Sequence, residues 1–155
     1  MASPIVVVEK DLLRSEAYRT LPRTAILILM DFHMKRVIQG RTDKRGNKSH
    51  QVLNNGEIEY TYTEAKKKGI NKQTFTTNRD VLIEHGFIDI AHQGSGGKKG
   101  DKTLYAMSDR WRQWGTDRFI KCTRQKDQRK GCGFSAVKKN IGKENKGSIA
   151  LVSKG

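Results

Sequence analysis

Hydrophobic and polar positions follow two periods along the first 120 residues. Across residues 23–39, Ala25, Ile28, Leu29, Phe32, Arg36 and Val37 recur every three or four positions, and Ile26, Leu27 and Met30 widen the stripe. A band that is apolar over most of its surface predicts a helix at the centre of a core. Pro22 stands at its start, where a missing N–H costs nothing, and Gly40 is expected to end it. After the turn signal Asn54, Asn55 and Gly56, residues 57–61 alternate as a short strand.

The pattern then becomes helical again in two steps. Thr63 is expected to cap a short helix over residues 64–68, closed by Gly69. Asn71 is expected to cap a second helix over residues 72–85, closed by Gly86. Residues 87–91 and 103–107 read as two strands of a hairpin, joined by a glycine- and lysine-rich loop over 94–102. Ser108 introduces a last short helix over 109–114, closed by Gly115. Residues 41–51 carry no apolar period and read as a mobile basic loop. No internal repeat is present.

Helix, strand, short helix, glycine turn, helix and basic-tipped hairpin is the element order of an α+β winged helix-turn-helix: a three-helix core with a β-hairpin wing. A glycine between the paired helices permits the left-handed backbone that a steep crossing needs, and Gly69 supplies it. Ile70, Phe75 and Leu82, with Val81 or Ile83, are the expected anchors of the second helix. Lys72, Gln73, Thr74, Thr76, Thr77 and Arg79 are then the candidate recognition-helix contacts to DNA. Short polar side chains near a helix N-terminus approach base edges and phosphates closely. For Gln73 and Thr74 a capping-turn role stands as the alternative, and for Arg79 a stem laid along the core.

Charge sharpens this picture. The chain has 155 residues and a formal net charge of +15, from 31 Lys and Arg against 16 Asp and Glu. Such a surface fits a polyanionic partner. The recognition segment itself is nearly neutral, so the electrostatic grip is expected from Lys66, Lys67 and Lys68 on the first helix and from Lys98, Lys99 and Lys102 in the wing. Residues 121–155 hold ten basic and two acidic residues and few apolar ones, which predicts a basic, largely disordered C-terminal tail. The expected organisation is an N-terminal arm (1–14), a winged-helix domain (15–120) and the tail (121–155).

Several quoted segments resemble bacterial winged-helix proteins of phages, plasmids and other mobile elements. These are Asn54, Asn55 and Gly56; Tyr62, Thr63, Glu64 and Ala65; Gly69 and Ile70; Thr74, Phe75 and Thr76; Gly86, Phe87, Ile88 and Asp89. The run from Leu104 to Trp111, and Glu16, Ala17, Tyr18, Arg19, Thr20 and Leu21, fit the same group. The resemblance spans roughly residues 15–120. It implies double-stranded DNA binding in replication initiation, replisome organisation or transcriptional regulation.

Other chemistry finds little support. Cys122 and Cys132 have no histidine nearby in sequence, which argues against zinc and against a disulfide framework. His33, His50, His85 and His92 are scattered, and Trp111 and Trp114 read as packing residues. No nucleophile-elbow, Walker or zinc-protease pattern occurs, so neither an enzyme nor a cofactor is expected. No apolar run approaches the roughly 18 residues of a membrane span. The expectation is a cytoplasmic, nucleoid-associated protein, with a replication or regulatory partner or a homodimer as open possibilities. A protein-interaction adaptor and an RNA-binding protein are the competing classes.

Overall fold

The computed structural model describes residues 5–94 and 100–124. The described chain is α+β, with five α-helices, two small antiparallel sheets and one short 3₁₀ helix. Helices α1 (Lys10–Arg14) and α2 (Glu16–Arg19) lead into α3 (Arg23–Lys35). Strands β1 (Ile38–Thr42) and β2 (Lys48–Val52) pair only with each other. Then come β3 (Ile58–Glu59), α4 (Tyr62–Lys67), α5 (Lys72–Glu84), β4 (Ile88–His92), β5 (Leu104–Met107) and the 3₁₀ helix Arg110–Gln113. In the second sheet β5 lies between β3 and β4, both antiparallel to it. No described helix is long and apolar enough to cross a membrane.

Helix α3 is the centre of the core, as its broad stripe requires. Ala25, Ile28, Leu29 and Phe32 are fully buried. The Phe32 ring meets Tyr60 and Tyr105 edge-on at 5.3 and 5.1 Å between centroids, and Tyr60 meets Phe75 at 4.8 Å. This aromatic cluster joins α3, the β3–α4 connection, α5 and β5. Each such pair contributes about 0.5–1.5 kcal/mol beyond its buried area. Trp111 is buried and stacks on Phe87, while Trp114 stacks on His85 at 4.1 Å, so both tryptophans serve packing.

Several boundaries differ from the sequence expectation. Helix α3 ends at Lys35 rather than near Gly40, because the next residues have partners elsewhere. The Arg36 guanidinium donates to the Val7 carbonyl, and the Val37 N–H donates to Asn54 Oδ1 at 2.8 Å. The chain is thereby drawn into β1, and residues 41–51, expected as a mobile loop, form most of a β-hairpin. The strand expected over 57–61 pairs only at Ile58 and Glu59.

The first helix of the pair starts earlier than expected. Thr61 caps α4, not Thr63: its Oγ1 accepts from the Glu64 N–H, and the Glu64 carboxylate accepts from the Thr61 N–H. That reciprocal box satisfies two otherwise orphaned donors. The expected 109–114 helix is the shorter 3₁₀ turn. At the ends, Leu12 of the expected N-terminal arm is buried in the core. Cys122 and Arg124 of the expected tail also pack on the domain, while residues 125–155 lie outside the described part.

Candidate nucleic-acid interface

The α4–α5 segment is shaped by local chemistry at each joint. Gly69, at φ +80°, turns the chain after α4, and its N–H donates to the Lys66 carbonyl. A Cβ in that conformation costs about 1–2 kcal/mol. Ile70 is buried behind the turn. Asn71 Oδ1 then accepts from the Thr74 N–H at 2.8 Å and starts α5. Phe75, Asn78, Arg79, Leu82 and Ile83 form the inner face of α5. Lys72, Gln73 and Thr77 remain exposed on its outer face.

The other recognition candidates divide. Thr74 is half-buried and its N–H serves the cap, which matches the capping-turn alternative. The Thr76 hydroxyl donates to the Lys72 carbonyl at 2.8 Å, a bond internal to the helix. Arg79 departs from the DNA-contact expectation. It is only 4% exposed, and its Nη1 donates to the Tyr105 hydroxyl at 3.2 Å. Its other nitrogens face Asp80 at 3.4 Å. A guanidinium so enclosed stitches α5 to β5 and is not presented to a ligand in this conformation.

Among the candidate phosphate contacts, Lys66 and Lys67 are exposed and have no carboxylate partner among the described residues. Lys68 is half-exposed and bridges to Asp31 at 2.6 Å. The Asp31 carboxylate also accepts from the Tyr60 hydroxyl at 2.5 Å. Lys68 thus holds α4 to α3. Lys102 is exposed, and its ammonium donates to Glu59 at 2.8 Å, which raises its pKa and ties the β4–β5 connection to β3. Lys98 and Lys99 lie outside the described residues.

The acids of this region are already paired, and that decides its field. Glu64 meets Lys35 at 2.5 Å. Burial works against its ionisation, yet the Lys35 ammonium and the Thr61 N–H hold the carboxyl below its usual range. Asp80 receives Arg124 at 2.9 Å besides Arg79. Lys66, Lys67 and Lys72 are left as uncompensated charge around a polar helix start. The Lys72 ammonium lies 5.1 Å from the Tyr62 ring centre and keeps contact with water.

Two features were missed by sequence reasoning. The Arg124 pairing with Asp80 spans 44 positions and leaves no local signal. The Thr61 cap did leave one, since Thr61 and Glu64 stand at capping-box spacing. Among the described residues, no three His, Cys, Asp or Glu side chains come together as a metal-holding group. No known protein family matches the chain, and neither does any curated protein or solved structure.

Proposed function

We propose that residues 15–120 form a winged helix-turn-helix that binds double-stranded DNA, with α4 and α5 as the paired helices and β4–β5 as the wing. One observation carries this proposal. The exposed residues Lys66, Lys67, Lys72, Gln73 and Thr77 flank one glycine turn, while Glu64 is neutralised by Lys35 and Asp80 by Arg79 and Arg124. A polar helix start surrounded by unpaired ammonium groups suits a phosphate-lined groove. The paired lysines, Lys68 and Lys102, brace this face. Gln73 and Thr77 are the side chains offered to base edges. On the resemblance of the quoted sequence segments alone, the proposal extends to replication initiation or transcriptional control.

The test is a salt titration of binding to duplex DNA by fluorescence anisotropy, using the full chain. The triple variant Lys66→Ala, Lys67→Ala, Lys72→Ala is expected to flatten the slope of log affinity against log salt by about 3, at roughly 0.9 per lost phosphate contact. At about 0.15 M salt that corresponds to a loss of roughly a hundredfold. An unchanged slope, or equal preference of the parent for structured RNA, overturns the proposal.

A further inference from the structure

We infer that the β1–β2 ribbon is a second phosphate-gripping arm, which engages the same DNA duplex from beside α4. This inference rests on the duplex-binding reading above and adds a contact element to it. The ribbon has no packing role that explains its presence. Only Ile38 and Val52, paired at its base, are partly covered, and every residue from Gln39 to Gln51 is exposed. A two-stranded hairpin without a buried face is marginal by itself.

This hairpin is nevertheless pinned at both ends. At the tip, Asp43 Oδ1 accepts from the N–H groups of Arg45 and Asn47, both at 2.8 Å, and Oδ2 accepts from the Asn47 amide at 2.9 Å. Gly46 takes φ +82° to close the turn. At the base, Asn54 accepts from the Val37 N–H and donates to the Lys35 carbonyl at 3.0 Å. The chain thus maintains a preformed ribbon wetted on both faces.

Its chemistry selects the partner. Arg41, Lys44, Arg45 and Lys48 are all exposed, and none has a carboxylate within ion-pair distance among the described residues. The single acid, Asp43, spends its oxygens on the turn. Between Gln39 and Gln51 there is no aliphatic side chain and no Phe, Tyr or Trp. Such a surface has nothing to insert into a lipid layer and no apolar anchor for a protein partner.

Strand alternation distributes the cations. Arg41 lies opposite Ser49 and shares a face with Gln39 and Gln51. Lys48 lies opposite Thr42 and shares the other face with His50. Lys44 and Arg45 occupy the tip. Positive charge on both faces and at the tip fits an element with phosphates on either side, as in a DNA groove. The major groove, about 12 Å wide, admits a two-stranded ribbon. Five strand residues reach about 17 Å at roughly 3.4 Å each.

Placement agrees with a shared ligand. Asn54 ties the base of the ribbon to the Lys35 carbonyl, and the Lys35 ammonium is bridged to Glu64 of α4. The ribbon therefore leaves the body at the α3–α4 junction, next to the helix that carries Lys66 and Lys67. Exposed edge strands also carry cations simply to deter strand pairing between molecules. That role predicts no dependence of DNA binding on these residues.

The experiment compares the full chain with the variant Arg41→Ala, Lys44→Ala, Arg45→Ala, Lys48→Ala. Duplex affinity is measured over a salt series, and protection from hydroxyl radicals is mapped on a bound duplex. The expected result is a salt slope flatter by three to four, from about 0.9 per contact, with protection lost on one flank and kept at the centre. Circular dichroism melting checks the fold, and the milder pair Arg41→Gln, Lys48→Gln is expected to flatten the slope by about two. Parent-like slope and footprint in both variants overturn the arm while leaving the helix-turn-helix reading intact. Absence of duplex binding by the parent overturns that reading, and the arm with it.

Discussion

Protonation of His33 is expected to destabilise the fold steeply below neutral pH. This side chain lies on α3 and is 4% exposed, and neither ring nitrogen finds a hydrogen-bond partner among the described residues. Burial first, and the nearby positive charge of Arg36 second, lower its pKa from 6.5 to about 4. The unfolded chain therefore takes up a proton near pH 6.5, which the folded chain resists until about pH 4. A base with a depressed folded pKa contributes stability that is intact above 6.5 and is lost as pH falls toward 4. At about 1.4 kcal/mol per unit, the full loss is about 3 kcal/mol, of which about 2 kcal/mol is gone by about pH 5.

Urea unfolding of the parent and of His33→Met between about pH 4.5 and 8 measures this directly. Replacement by a side chain of similar size removes two unpartnered polar atoms, so the variant is expected to match or exceed the parent by about 1 kcal/mol at neutral pH. Its advantage should then widen by about 2 kcal/mol toward pH 5. His85 is also held low, mainly by burial, and so acts in the same direction in both proteins. The difference between the two profiles isolates His33. Parallel profiles across this range would refute the reasoning.

Two further outcomes test the frame around the candidate interface. Gly86 sits at φ +84°, and a Cβ there would lie 2.8 Å from Arg110 Cβ and from the Trp111 backbone nitrogen. Gly86→Ala should cost about 3 kcal/mol and lower Tm by about 10 °C in a thermal melt, and a loss under about 1 kcal/mol would contradict this packing. Arg79→Met keeps the stem but orphans the Tyr105 hydroxyl, so a loss of about 1–2 kcal/mol in urea unfolding is expected. Its duplex-binding salt slope should equal the parent's, and a slope flatter by about one would return Arg79 to the DNA-facing set.

The helical part of the site was legible in sequence because its signals are local. Asn71 caps α5 as its side-chain chemistry dictates, and Gly69, Gly86 and Gly115 take the positive φ that ends each helical stretch. From α3 onward, the order of helices and strands outside the β1–β2 ribbon followed from the same period changes, whereas the short helices α1 and α2 did not. The outer positions Lys72, Gln73 and Thr77 followed from the 3.6-residue repeat once Phe75 and Leu82 were placed inward. Arg79, four positions after Phe75 and three before Leu82, falls on the inward stripe by the same repeat, and its charge had argued for an outward role; the Tyr105 hydroxyl, 26 positions away, supplies the partner that makes its burial tolerable.

By itself, then, the sequence determined the order α3, β3, α4, α5, β4, β5, the Asn71 cap, the turns at Gly69, Gly86 and Gly115 and the apolar stripe of α3. The tertiary structure decided where α3 stops, that residues 38–52 form a ribbon, and which charges stay unpaired. The physical reason is range. A cap or a left-handed turn is satisfied within four residues. The ribbon has no buried face to create an alternating pattern, and its base depends on Asn54 meeting Lys35 and Val37 across 17 to 19 positions. Charge alone does not reveal which lysines are available: Lys66 and Lys67 stand free and Lys68 does not, because α3 happens to bring Asp31 beneath the third.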